Sequence, residues 1–174
     1  MIDIYFEPSY GKICELIECG ICETFDFKCD IGEINHMFIK REIPIKINEK
    51  KYFDIVTPYG YGGPIIIKCE EGRKNDLVHR FELAFQQYCE MNHIVSEFVR
   101  FHPIFCNAKD FQPIYSLENL RKTVGTNIRD YKDPVLSEFS KGARKSIRRA
   151  LNSGVSFRFT ENPTSLNNFK EIYY

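Results

Sequence analysis

The chain of 174 residues is 43% apolar and 28% charged, and its 24 Lys and Arg balance its 24 Asp and Glu to a formal net charge of zero. That composition excludes wholesale disorder, and it excludes a nucleic-acid binder that relies on overall positive charge, leaving room only for a local basic patch. No apolar run approaches the roughly 20 residues that span a bilayer, and the opening MIDIYFEPSYGK lacks a basic-then-apolar export pattern, so the expected compartment is the cytoplasm.

In chain order, Ile2–Phe6 reads as a short strand. Pro8-Ser9 then opens a helix over Tyr10–Glu18, with Ile13, Leu16 and Ile17 on one face. Ile21–Lys28 and Ile34–Ile43 read as strands joined by the turn residues Cys29–Glu33. A second hairpin is expected between Ile45–Ile47 and Tyr52–Val56. Thr57-Pro58-Tyr59-Gly60-Tyr61-Gly62-Gly63-Pro64 has to be a loop, because its Gly and Pro content breaks helices and strands alike. Ile65–Lys68 is a short strand. Leu77, Phe81, Ala84, Phe85, Tyr88 and Met91 recur at helical spacing and predict a helix over Arg73–Met91.

Ile94–Phe101 reads as a central strand ending at His102-Pro103, and Ile114–Leu120 and Thr123–Asp130 as further strands. Asp133-Pro134 is a helix-start signal. Leu136, Phe139, Ala143, Ile147, Ala150 and Leu151 then form one apolar stripe, which Gly154 stops. Val155–Phe159 reads as a strand, and Leu166, Phe169, Ile172 and Tyr173 begin another helix. That helix has no stop signal before Tyr174. It reads either as part of a fragment or half-assembly, or as a terminal helix held by tertiary contacts.

Three constellations are able to carry chemistry. In the loop, Gly60, Gly62 and Gly63 permit positive φ and close backbone approach to a ligand, while Tyr59 and Tyr61 offer hydroxyls and flat faces for a sugar, peptide or nucleotide. A tight strand connection with tyrosines packed beneath explains the same residues. The loop has neither the GKS/T of a phosphate-binding loop nor the dinucleotide fingerprint. In Ser96–Pro103, strand alternation puts Arg100 and His102 on one face and Glu97, Val99 and Phe101 on the other. Arg100 suits a phosphate or carboxylate and His102 a proton or an anion; an internal salt bridge and a satisfied half-buried histidine are the plain alternatives. Along Pro134–Leu151, Lys141, Arg144, Lys145, Arg148 and Arg149 share one arc with no acid among them. They form a face for phosphates, a tRNA or an anionic membrane, or else a solvated helix surface.

The seven cysteines are odd in number and accompany no export signal, so a disulfide framework is not expected. Cys14, Cys19, Cys22 and Cys29 partly imitate an iron–sulfur spacing, but the strand-like ETFDF between the last two would hold them apart. No metal site, serine hydrolase elbow or cysteine–base motif is expected.

Taken together, DIVTPYGYGGP (Asp54–Pro64), IVSEFVRFHPIF (Ile94–Phe105) and ARKSIRRALNSGV (Ala143–Val155) resemble the Fem-type (FemABX-like) aminoacyltransferases. These are lipid II:glycine glycyltransferase-like proteins within the Gcn5-related N-acyltransferase (GNAT) fold superfamily. The resemblance covers nearly the whole chain and implies an α+β fold, with a GNAT-like mixed, largely antiparallel sheet flanked by helices. It implies a first acyltransferase-like domain over 1–133, with 134–174 as a basic helix opening a second. It also implies acyl transfer to the amine of an envelope, peptidoglycan or polysaccharide precursor, with an aminoacyl-tRNA or acyl-CoA as donor substrate and no cofactor held by this chain. The superfamily's acyl-CoA signature, R/Q-x-x-G-x-G/A, is absent. On this reading Tyr59, Gly60, Tyr61, Gly62 and Gly63 line the acceptor cleft, and Arg100 and His102 contact phosphate or carboxylate. Arg144 and Arg148 face the cleft or the donor's phosphates, with tRNA along Lys141–Arg149, and an open sheet edge invites self-association. The competing expectation is a non-catalytic GNAT-like module that binds nucleotide-linked precursors or a protein.

Overall fold

The computed structural model describes residues 3–46 and 48–173. It divides into two compact units, Met1–Arg121 and Lys122–Tyr174. The first is α+β, built on a mixed, mostly antiparallel sheet. Its elements are a 3-10 turn (Ile4–Phe6), α1 (Pro8–Glu18), β1 (Ile21–Cys29), β2 (Gly32–Glu42), β3 (Phe53–Val56), β4 (Ile65–Cys69), α2 (Lys74–Met91), β5 (Ile94–Phe98) and α3 (Asn107–Phe111). The sheet order is β1-β2-β3-β5. β2 is long enough for β4 to pair with its first half and β3 with its second. All these pairings are antiparallel except β3 with β5, which is parallel.

Strand alternation sends neighbouring residues to opposite faces, and the two helices take one face each. Phe38 and Ile55 join Leu77, Val78, Phe81 and Phe85 of α2 in the main core, whereas Ile39 and Val56 pack with Cys14 of α1. Aromatic rings dominate the α2 side. Phe81 and Phe85 stack at 5.5 Å, and Phe25 lies 5.2 Å from Phe85 and 5.0 Å from Tyr88. Phe81 and Phe85 are buried and each contributes on the order of 2–3 kcal/mol, while the half-buried Phe25 and Tyr88 contribute less.

Helix α1 overturns the expected packing face. Ile13, Leu16 and Ile17 are exposed at 66%, 89% and 59%, and the residues facing the sheet are Gly11 and Cys14. The cause is proximity. A Cβ on Gly11 would lie 2.4 Å from Cys22 Sγ and 2.8 Å from Met37 Sδ, so only a small-residue face can approach this closely. The inward side also carries polar anchors: Glu15 accepts the Cys22 N–H (2.9 Å), and Glu18 pairs with Arg100.

Several expected strands do not form. In the strand expected at Ile2–Phe6, Ile2 lies outside the described residues, and Ile4–Phe6 is a 3-10 turn whose Tyr5 N–H donates to the Asp3 side chain. Ile47 also lies outside the described residues, and Ile45 and Lys46 take no strand conformation. β5 stops at Phe98, with Phe101 adding one isolated parallel bridge to Gly62. Ile114–Leu120, Thr123–Asp130 and Val155–Phe159 are irregular. Apolar alternation supplies one face of a strand, but the ladder also needs a partner edge, and none pairs with these segments among the described residues.

In the second unit the anticipated single helix Pro134–Leu151 is two: α4 (Pro134–Glu138) and α5 (Lys141–Asn152). Phe139 is extended, and Ser140 caps anew by accepting the Ala143 N–H at 3.2 Å, as Asp133 does for Leu136 at 3.0 Å. Helix α6 spans Asn167–Tyr173. No helix among the described residues is long and apolar enough to cross a membrane.

Candidate functional site: the tyrosine–glycine loop

Strands β3 and β5 run parallel, so their C-terminal ends release two segments side by side: the loop Thr57–Pro64 and the segment Val99–Pro103. The two remain joined. The Thr57 N–H donates to the Phe98 carbonyl (3.2 Å) and the Gly62 N–H to the Arg100 carbonyl (2.8 Å). Gly60 and Gly63 sit at φ +93° and +85°, in the region glycine tolerates. A Cβ on Gly60 would meet the Tyr5 ring at 2.5 Å, and one on Gly63 would meet Val99 Cγ1 at 2.6 Å. The glycines therefore let the loop lie flat on rings and on the neighbouring segment.

The structure brings together Tyr59, Gly60, Tyr61, Gly62, Gly63, Arg100 and His102 in this way, but it uses the last two internally. The Arg100 guanidinium donates to Glu18 Oε1 (2.6 Å) and to the Thr57 carbonyl (2.7 Å). Glu18 is 12% exposed and also lies 4.0 Å from Arg41, which grips Asp54 through two hydrogen bonds of 2.9 and 2.6 Å. The result is a chain of alternating charge, Asp54–Arg41–Glu18–Arg100, that ends on the base of the loop.

His102 is 3% exposed. Its Nδ1 accepts the backbone N–H groups of Ile104 (3.2 Å) and Phe105 (3.3 Å), which leaves the ring proton on Nε2, 3.9 Å from Asp3. Desolvation lowers its pKa, and the nearby Asp3 charge opposes that shift only in part. The ring is wrapped by Tyr5, Phe6, Tyr61 and Phe105 at centroid distances of 4.8 to 5.9 Å. His102 is thus the centre of an aromatic knot.

The exposed side of the loop is made of tyrosines. Tyr59 is 58% exposed; Tyr5, Tyr10 and Tyr61 are half-buried around it. Tyr5 contacts Tyr10 and Tyr61 edge-on at 5.3 and 5.5 Å. The Tyr10 hydroxyl donates to the Tyr59 carbonyl (2.8 Å), and burial, first, pushes its pKa up to about 12. Beyond Pro64 the chain enters β4, where a hollow of about 360 Å³ opens over the sheet. Its lining includes Phe6 from the His102 knot, Ile65 and Ile67 from β4, and the charged residues Asp26, Lys28 and Glu33. Asp26 accepts from the Asn35 amide (2.7 Å), and Glu33 pairs with Lys28 (3.1 Å).

Two constellations escaped the sequence reading. Asn107, 2% exposed at the start of α3, donates from one amide nitrogen to the carbonyls of Gly62 (2.9 Å) and Pro64 (3.0 Å), and its oxygen accepts the His102 N–H (2.9 Å). It clamps loop and segment together. The only sequence signal for it is a lone Asn in a run of mixed character. The second is a buried polar network on the opposite sheet face. His36 Nε2 lies 2.6 Å from Glu97 Oε1, and the Tyr115 hydroxyl donates to Glu97 Oε2 (2.9 Å). His36 is fully buried and its Nδ1 has no hydrogen-bond partner among the described residues. Burial and the adjacent Glu97 charge raise the Tyr115 pKa, and the same two causes push Cys89 up to about 11. The parity of Glu97 hints at its face, but its pairing with a residue 61 positions away leaves no local pattern.

Arg144 and Arg148 lie on α5, in the second unit. Strand β1 carries Cys22 near one end and Cys29 at the other, while Cys14 is buried on α1 and Cys19 exposed at its end. Among the described residues no three His, Cys, Asp or Glu side chains gather to hold a metal ion. Compared with known proteins, the chain matches no family model, no curated protein and no solved structure.

Proposed function

We propose that the chain belongs to an N-acyltransferase of the Fem-like type and supplies at least its acceptor-recognition surface. The single observation that carries this reading is the union of the Tyr59–Gly63 loop with the Val99–Pro103 segment at the ends of the parallel strands. It gathers Tyr59, Tyr61, Tyr5 and Tyr10 into one partly exposed face beside a hollow that contains carboxylates. Flat rings suit the apolar faces of sugars and the planes of nucleotides, and the Asp26 carboxylate suits a protonated amine. An envelope or polysaccharide precursor that carries both an amine and a nucleotide-linked sugar fits that pair of features.

In the proposed reaction the bound ammonium first loses one proton to solvent, and the neutral amine nitrogen then attacks the acyl carbonyl of an aminoacyl-tRNA or acyl-CoA in the cytoplasm. A C–N bond forms, the ester or thioester bond breaks, and the amine proton leaves to solvent or to the released group. The task of this surface is to fix the amine against the donor, since positioning alone is worth several orders of magnitude in rate. Arg100, His102 and Asn107 act through the loop as positioning residues. Arg144, Arg148 and the rest of the Lys141–Arg149 face would meet the donor's phosphates.

One observation favours the second reading, a non-catalytic module for nucleotide-linked precursors: the internal engagement of Arg100 and His102 leaves recognition to rings and backbone. Transfer of a radiolabelled amino acid from tRNA, or of an acetyl group from its CoA thioester, to a uridine-diphosphate-linked muropeptide separates the two. The acyltransferase reading expects product that falls at least tenfold for Tyr59→Ala with Tyr61→Ala. Muropeptide binding without transfer to any acceptor would favour the module.

A further inference from the structure

The neutral charge of the chain conceals a division. Lys122–Tyr174 holds ten Lys and Arg against five Asp and Glu, a net charge of +5, while Met1–Arg121 has fourteen against nineteen, net −5. None of the described residues of the second unit is buried. It therefore leaves its large apolar side chains in the open: Leu136 at 59%, Leu151 at 61%, Phe157 at 93% and Phe159 at 83%.

The arrangement of those groups is ordered. On α5 the five cations Lys141, Arg144, Lys145, Arg148 and Arg149 occupy an arc of about 140°, and Ala143, Ile147, Ala150 and Leu151 occupy an adjoining arc of about 100°. Helix α4 extends the apolar side. Val135 and Leu136 join Ile147 and Leu151 around a groove of about 180 Å³ that Arg144 and Arg148 also line. Arg144 Nη1 donates to the Leu136 carbonyl (2.7 Å) and ties the two helices together. Past Gly154, Val155, Phe157 and Phe159 alternate with Ser156 and Arg158 in an exposed segment.

We infer that this unit docks on an anionic lipid surface, with the apolar arc of α5, Leu136 and the Val155–Phe159 segment entering the headgroup boundary and the cations on lipid phosphates. A basic helix with a strongly polar face and a separate apolar face is the form that lies in a membrane interface. The alternatives use only part of the surface. An RNA backbone needs the cations but gives Leu136, Ile147, Leu151 and Val155 nothing to enter. A protein interface of this apolar content tends to exclude Lys, and Lys141 and Lys145 stand in the middle of the arc. Arg side chains next to an apolar arc suit a bilayer surface, because a long stem can cross an apolar layer while the guanidinium stays at the charged level. The inference stands on the second unit alone; it gives the Lys141–Arg149 cations to lipid phosphates in place of the donor phosphates and leaves the acceptor-face reading untouched.

The test is co-sedimentation of the whole chain with vesicles of phosphatidylcholine, alone or containing about 30 mol % phosphatidylglycerol, with and without tRNA. The chain is expected on the anionic vesicles only, with binding that weakens as salt rises. Each cation near an anionic surface is worth about 1 kcal/mol, so Arg148→Gln with Arg149→Gln should lower partitioning about thirtyfold. Leu151→Ser with Phe157→Ser, at unchanged charge, should lower it at least tenfold. All four positions are exposed, and circular dichroism checks that the variants keep their helix content. Failure to sediment with anionic vesicles would overturn the inference. So would binding indifferent to Leu151→Ser with Phe157→Ser, or tRNA binding in the absence of vesicle binding, which would assign the face to RNA.

Discussion

Replacing Arg100 by Ala distinguishes a structural strut from a ligand contact. Arg100 is 33% exposed and Glu18 12%, so the pair is neither a surface ion pair worth under about 1 kcal/mol nor a sealed one whose disruption costs about 3–5 kcal/mol. The substitution also removes the donor to the Thr57 carbonyl. An intermediate loss of about 2 kcal/mol follows, equivalent to a fall in Tm of about 6 °C for a chain of this size. The chain has no Trp, so urea unfolding is best followed by circular dichroism at helical wavelengths. A double-mutant cycle of Arg100→Met with Glu18→Gln should return a coupling of about 1–2 kcal/mol. If Arg100→Ala leaves the unfolding midpoint unmoved while abolishing ligand binding, Arg100 is a substrate group and the strut argument fails.

Asn107→Ala removes three hydrogen bonds from a buried amide and strands two carbonyls and an N–H, so a loss of about 2–4 kcal/mol is expected in the same assay; a change under about 0.5 kcal/mol would mean the clamp does not hold the loop. The lowered pKa of His102 has a definite sign. The folded protein prefers the neutral ring, so the contribution is complete above the ordinary value of 6.5 and is lost as pH falls below it. Stability should therefore decline from about pH 7 to pH 5, and His102→Asn should flatten that slope; a wild-type profile that rises on acidification would contradict the burial argument. At Gly63, held at φ +85° against Val99, Ala should cost about 1–3 kcal/mol, and a neutral substitution would show that the loop relaxes freely.

The α+β character of the first unit is legible in the sequence because its signals are local and strong. Phe81, Phe85 and Tyr88 recur at helical spacing, and Cys29–Glu33 carries turn chemistry between two alternating runs. The parity of Ser96–Pro103 also places Arg100 and His102 on one face of a strand; in the structure β5 ends at Phe98, and beyond it Arg100 reaches Glu18 while His102 packs beside Tyr61. Partners, in contrast, are not written locally. Nothing near Arg100 names Glu18, which is 82 residues away, and nothing near Asn107 names Gly62. The α1 face is misread for a related reason. Hydropathy favours burying Leu16, but the close approach at Gly11 is set by Cys22 and Met37 on two other elements. Val155–Phe159 has the alternation of a strand, but a strand exists only where an edge receives it.

The central claim is that the loop of Tyr59–Gly63, braced from beneath, is the face that meets the acceptor. The most direct test is titration of a uridine-diphosphate-linked muropeptide into isotopically labelled chain, read residue by residue by NMR. The account predicts shifts concentrated at Tyr59, Gly60, Tyr61 and Gly63 and spreading to Ile65 and Asn35, which disappear in Tyr59→Ala although that exposed substitution changes stability by less than about 0.5 kcal/mol. Shifts confined to residues outside this face, or none at saturating ligand, would contradict it.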